Sequence, residues 1–149
     1  MLIDKIIEGE GTLEYQKKLG YFRNGKFYEY LCSEGVPTIG YGHAIKKGES
    51  FPDGITDAQA MDILRKDLSR AVSDAKALYV DVHEEVNDIL VQMVFQLGRS
   101  RASKFVRFFE ALKAGDYAKA ADELVNSKWY RQTPNRVEVY VSILRNLLC

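Results

Sequence analysis

The chain has 149 residues, 46% of them hydrophobic, enough for one ordinary domain or a small two-lobed one, and this excludes a disordered chain. Its 21 Lys and Arg cancel its 21 Asp and Glu, so a formal charge of zero supplies no whole-molecule attraction to nucleic acid or to a membrane surface. The longest apolar stretch, residues 89–97, is broken by Gln92 and Gln96 and falls far short of the roughly 18 to 20 residues of a membrane span.

In chain order, Leu2, Ile3, Ile6 and Ile7 recur at helical spacing and predict a short amphipathic helix over 2–9. Residues 15–43 turn aromatic, β-branched and glycine-rich, which reads as a small antiparallel sheet. Within it, Tyr21-Phe22-Arg23 and Lys26-Phe27-Tyr28 flank Asn24-Gly25, a two-residue hairpin signal. A second turn at Ser33-Glu34-Gly35 precedes a strand that Pro37 restricts to an edge or to its own start. After a polar loop over 46–54, Thr56-Asp57-Ala58-Gln59 has the form of a capping box. The helix it opens carries Ala60, Ile63, Leu64, Leu68, Ala71, Val72 and Ala75 in one stripe, a pattern suited to bridging two lobes. Asp81 to Glu84 has the same capping form. The helix after it is apolar nearly all round, belongs at the centre of a core, and ends at Gly98. Three further helical segments are predicted at about 103–114, 116–126 and 134–148, the last with Pro134 in its first turn.

Asp4, Lys5, Glu8 and Glu10 interrupt any signal-peptide core, which predicts a cytosolic chain without a cleavable leader. Cys32 and Cys149 are expected as free thiols, since two cysteines make no disulfide framework. Neither sits in a Cys-x-x-Cys pair, and His43 and His83 have no metal-ligand spacing, so no metal site is expected.

The run Thr38-Ile39-Gly40-Tyr41-Gly42-His43, preceded by Glu34-Gly35 in a turn, resembles the signature of phage-type lysozymes, the T-even phage endolysin and its relatives. Two further blocks are similar in the same order: Met93-Val94-Phe95-Gln96-Leu97-Gly98, and Ser127 through Trp129-Tyr130 to Arg136. The resemblance implies an α+β, lysozyme-like two-lobed fold as a single domain. Residues 1–55 would hold the first helix and a β lobe, with an extra hairpin near 16–27. Residues 56–79 would form the connecting helix, and 80–149 the helical lobe.

In that family a glutamate at the end of the first helix is the general acid, an Asp or Cys in the sheet is the second catalytic position, and a Thr six residues later helps to hold the attacking water. Cys32 and Thr38 match the last two. Glu8 and Glu10 both compete for the first. At about 100° per residue Glu10 shares the side of Ile3, Ile6 and Ile7, whereas Glu8 points away, so Glu10 is the acid expected. Desolvation on that face favours its protonated form. The resemblance also makes Arg136 the partner of the acid and gives Gln96 and Glu34 contacts with the glycan. It pairs His43 with Asp67 and makes Trp129 a core anchor.

Cys32 leaves a choice open. A thiol with a reference pKa of about 8.5 is mostly protonated at neutral pH, so it is a base, a water positioner or a packed sheet residue. The roughly twenty residues between Glu10 and Cys32 exceed the family's usual eight. The surplus is either an elaborated loop or an extension of the glycan cleft through Tyr15, Tyr21, Phe22, Phe27 and Tyr28.

The function the resemblance implies is muramidase hydrolysis of the β-1,4 bond between N-acetylmuramic acid and N-acetylglucosamine in bacterial peptidoglycan, with no metal or organic cofactor. A lytic transglycosylase, a noncatalytic wall-binding module and a virion-associated lysozyme are the alternatives. The family implies a monomer that waits in the host cytoplasm for a holin-type membrane protein. Neither nucleic acid nor membrane insertion is expected. The neutral charge is itself a cancellation, with 11 basic and 16 acidic residues up to Gly98 and 10 basic and 5 acidic after it. Arg99, Arg101, Lys104, Arg107, Lys128, Arg131 and Arg136 either face the anionic wall or are solvated helix faces.

Overall fold

The apolar stripe at the start of the chain forms α1 (Leu2–Glu10), which buries Ile6 completely and leaves Glu8 in solvent. The computed structural model describes residues 2–32 and 35–147, in an α+β arrangement that divides within the long helix into two units, Met1–Arg70 and Ala71–Cys149.

In the first unit a second helix, α2 (Leu13–Leu19), occupies residues whose aromatic and β-branched surroundings predicted sheet. Its end signals are complete. Thr12 Oγ1 accepts from the Tyr15 amide at 3.1 Å, and Gly20 closes the helix in the left-handed region at φ 83°. Among the described residues five short strands follow: β1 (Phe22–Arg23), β2 (Lys26–Phe27), β3 (Tyr30–Leu31), β4 (Pro37–Ile39) and β5 (His43–Ala44). They make two antiparallel sheets, one of β1 and β2 and one in the order β3-β4-β5.

Asn24 and Gly25 both have positive φ, 53° and 76°, the turn whose twist suits paired strands, and Phe22 thereby lies opposite Phe27. The hairpin belongs to the core of its unit. Phe27 is fully buried, meets Phe22 and Tyr41 edge to face at 4.7 and 5.1 Å, and exchanges two backbone hydrogen bonds with Ile55. Pro37 begins β4, where its missing N–H costs the ladder least.

The long helix α3 (Asp57–Leu78) starts on a complete capping box: Thr56 N–H donates to Gln59 Oε1 at 2.9 Å, and Gln59 N–H donates to Thr56 Oγ1 at 3.2 Å. Thr56→Ala is expected to cost about 1 kcal/mol, read as a lower denaturant midpoint at unchanged slope.

In the second unit α4 (Glu84–Leu97) buries Val86, Ile89, Leu90, Val91, Met93, Val94 and Leu97. Its start differs from the capping box expected at Asp81. His83 is the cap residue, and the buried Asp81 carboxylate instead accepts the His83 amide at 3.0 Å and the hydroxyls of Tyr79 and Tyr117 at 2.8 and 2.9 Å. Held by two phenols and a loop amide, that carboxylate sits two residues ahead of the cap, and no side chain caps α4. Burial and this carboxylate push the Tyr79 phenol up to about 12.

Where three more helical segments were expected, five helices follow: α5 (Arg99–Ser103), α6 (Val106–Lys113), α7 (Tyr117–Val125), α8 (Lys128–Gln132) and α9 (Pro134–Asn146). α7 packs on α6 and α9, and α4 on α5 and α9, around Phe108, Leu112, Leu124, Trp129 and Leu144. No helix among the described residues is long and apolar enough to cross a membrane.

The charge asymmetry also resolves by unit. The first unit is nearly balanced, with 10 basic and 11 acidic residues, and the acidic excess sits in 71–98, which has five acidic residues and one basic.

Candidate active site

In the first unit the turn over 40–42, between β4 and β5, brings backbone close to the end of α1. Glu10, half-buried, closes the helix, and Gly42 faces its carboxyl so closely that a Cβ at Gly42 would lie 2.6 Å from Cδ and Oε2 of Glu10. Gly42 has φ 84°, and only a residue without a side chain both takes that conformation freely and admits the carboxyl.

Beside it runs β3, whose Tyr30 lies opposite Thr38 in the register. The Tyr30 phenol is pushed well above its ordinary range, first by burial and then by the electrostatic effect of Glu10, Cys32 and Tyr21 in their ionised forms. Its ring stacks on Tyr21 with centroids 4.4 Å apart and planes 8° from parallel. Tyr30 therefore stays a neutral phenol within the electrostatic reach of both Glu10 and Cys32.

Cys32 is a half-buried free thiol whose amide donates to Val36 O at 3.0 Å and whose carbonyl accepts from Gly35 at 2.8 Å. Thr38 is buried, and its hydroxyl donates to Val36 O at 2.8 Å. With its proton committed there, Thr38 Oγ1 is left as an acceptor, which suits it to receive a hydrogen bond from water.

His43 is held from both sides. Nδ1 lies 2.7 Å from Asp67 Oδ2 and Nε2 lies 3.0 Å from Glu49 Oε1. The Asp67 hydrogen bond raises the imidazole pKa against the opposing effect of burial, and Glu49 adds to the rise. Glu49 is lowered, chiefly by the hydrogen bond it accepts from the Lys46 amide. With both ring nitrogens engaged by carboxylates, His43 fastens β5, α3 and the 46–54 loop together and has no nitrogen left to serve as a base.

In the second unit Gln96 is half-buried with both ends of its amide engaged. Its Oε1 accepts from Trp129 Nε1 at 2.8 Å, and its Nε2 reaches Thr133 Oγ1 at 3.5 Å. Trp129 is 1% exposed and packs on Tyr140 and Phe105. Arg136 is half-buried in the first turn of α9. Glu34 and Cys149 lie outside the described residues.

Four residues around Glu10 and His43 were not singled out from sequence: Tyr30, Gln16, Gly42 and Glu49. Gly42 stands inside the quoted signature run, so it was open to identification. Glu49, in a polar loop, carries no local signal of its distant partner.

The family described as phage lysozyme matches residues 23–143. Among individual relatives, "Probable T4-type lysozyme 2" of Dictyostelium discoideum is 28% identical, over 84% of this chain and 89% of that protein. "Peptidoglycan hydrolase gp36" of Pseudomonas phage phiKMV is 30% identical, over 89% of this chain but only 15% of the relative. "Endolysin" of Salmonella phage P22 is 34% identical, over 62% of this chain and 66% of the relative.

Proposed function

The chain belongs to the phage lysozyme family, and from that premise we propose that it cleaves the β-1,4 bond from N-acetylmuramic acid to N-acetylglucosamine in peptidoglycan, with Glu10 as general acid. It is a glycoside hydrolase of the lysozyme type. The observation that carries the assignment of Glu10 is its half-buried carboxyl, packed against the backbone of Gly42 inside the signature run. Glu8, the other candidate, is exposed.

In the role that the family resemblance gives it, Glu10 delivers a proton to the leaving oxygen. Thr38 Oγ1, with only acceptor capacity left, orients the attacking water, and Cys32 completes the water's cradle. A thiol is a poor base at neutral pH, so the role of Cys32 is placement. Water attack on the far face of the sugar inverts the anomeric centre and needs roughly 6.5 to 9.5 Å between acid and water-holding group. The resemblance to the family gives Gln96, Arg136 and Glu34 contacts with the glycan, and the Gln96 amide is itself held by Trp129 and Thr133. His43 and Asp67 support the turn that faces Glu10, and Trp129 anchors the core of the second unit. No metal or organic cofactor takes part.

We also propose, from the family resemblance, storage in the host cytoplasm as a monomer and passage through a membrane opened by a holin-type protein; one relative is named "Endolysin".

The test is digestion of purified peptidoglycan by wild type, Glu8→Gln and Glu10→Gln, with mass analysis of the fragments. Wild type and Glu8→Gln are expected to yield reducing muramic ends, and Glu10→Gln none. Fragments one water lighter, with 1,6-anhydro ends, would make the protein a lytic transglycosylase. Full activity of Glu10→Gln would remove Glu10 as the acid.

A further inference from the structure

Gln16 lies in α2, in the stretch that lengthens the path from Glu10 to Cys32, and it is 2% exposed. A polar side chain buried in a short surface helix calls for an explanation in its bonds. Its Nε2 donates to Gly11 O at 3.0 Å and to Gly40 O at 2.8 Å. Gly11 directly follows Glu10, and Gly40 stands two residues before Gly42, the residue that faces the Glu10 carboxyl. One amide group thus ties together the two backbone segments that hold the acid.

The remaining atom is informative too. Gln16 Oε1 is buried and has no hydrogen-bond partner among the described residues. Turning the amide over would set its oxygen against two carbonyl oxygens, so the orientation is fixed and the oxygen is left unsatisfied. An apolar side chain would fill the space without that penalty, but it would leave the two carbonyls unbridged. The amide is therefore a costly filler and an apt tether. The rest of the insert secures the tether, since the Tyr21 amide donates to Gln16 O at 2.9 Å and the Tyr21 ring stacks on Tyr30.

We infer that Gln16 is a positioning residue for the reaction: α2 and its hairpin brace the Glu10 carboxyl through the Gln16 amide. This rests on the reading of Glu10 as the acid. A tether of this kind acts on the placement and solvation of the carboxyl, so its loss lowers turnover more than substrate affinity.

The experiment is the pH dependence of kcat and KM on soluble peptidoglycan fragments for the full chain, comparing wild type, Gln16→Met, Gln16→Glu and Glu10→Gln, each with its melting temperature. Methionine keeps the length and loses both donors. Gln16→Met is expected to lower kcat about tenfold or more with KM changed less than about twofold. Its alkaline limb, where the acid loses its proton, moves away from the wild-type position because the surroundings of the carboxyl change. Gln16→Glu keeps one donor only while its own carboxyl is protonated, so it recovers part of the activity in acid and loses it as pH rises.

Wild-type kcat and an unmoved alkaline limb in folded Gln16→Met overturn the inference. If Gln16→Met does not fold, the same result in Gln16→Glu overturns it. Activity in Glu10→Gln overturns the reading beneath it, whereas an inert Glu10→Gln beside an unaffected Gln16→Met removes only the role of Gln16.

Discussion

Gly42→Ala is expected to leave a folded protein that has lost about a hundredfold in wall hydrolysis, the scale of effect that follows when a reacting group is misplaced by an ångström. The added Cβ would lie 2.6 Å from Cδ and Oε2 of Glu10 and 2.7 Å from its Cγ, closer than nonbonded carbons approach. The atoms that must yield are the far end of a flexible side chain, so the fold gives way cheaply and the carboxyl gives way first. Holding a non-glycine residue at φ 84° adds about 1 to 2 kcal/mol of backbone strain. Gly115→Ala separates the two costs. It carries similar strain at φ 71° with nothing within 4 Å of its new Cβ, so it is expected to lower the melting temperature comparably while leaving activity per folded molecule unchanged. Clearing of wall suspensions, normalised to the folded fraction, checks both.

The contrast between Gly42 and Gln16 shows what a sequence can carry about such a site. Gly42 stands in a run whose composition is itself a signal, and the helix geometry of Ile3, Ile6 and Ile7 separates Glu10 from Glu8 by local spacing alone. Asn24-Gly25 and the Thr56–Gln59 box are equally local, each needing only its neighbours to form, and both stand in the structure as read. Gln16 works through a bond to Gly40, 24 residues away, and no pattern within α2 points there.

α2 itself had every end signal a helix offers: Thr12 before it, Glu14 in the first turn, Lys17 and Lys18 in the last, Gly20 after it. The aromatic and β-branched character of the following residues outweighed those signals, because composition averaged over 15–43 hides a seven-residue helix. α5 and α8 are five residues each, too short for any periodicity to show, and they persist because their neighbours pack on them. At Asp81 a correct motif met a competing use, since Tyr79 and Tyr117 claim the carboxylate from outside the local stretch.

The second large effect is a pH-dependent loss of stability centred on His43, which is 7% exposed and held between Asp67 and Glu49. Its folded pKa is raised above 6.5, the Asp67 hydrogen bond being the largest cause. A raised pKa means the folded state holds the proton more tightly than the unfolded state. The stabilisation is therefore complete below about pH 6.5 and is lost as pH climbs through the folded value. Glu49 has the opposite sign: its pKa is lowered from 4.5, so its contribution is present above that pH and is lost as pH falls through the folded value. The clamp is strongest in the window between the two, where imidazolium and carboxylate are both charged.

Asp67→Asn is expected to cost about 2 kcal/mol in that window, the scale of a hydrogen bond to a charged group, and less at alkaline pH. Glu49→Gln is expected to cost under about 1 kcal/mol, because the Glu49 side chain is 35% exposed and solvent screens the pair. Denaturant unfolding from pH 5 to 9 reads both, and parallel wild-type and Asp67→Asn curves across that range would deny the clamp. The consequence reaches the acid. His43 directly follows Gly42 and begins β5, so loosening the clamp frees the turn that sets the Glu10 carboxyl. Asp67→Asn is therefore expected to lower turnover even at temperatures where the protein remains folded.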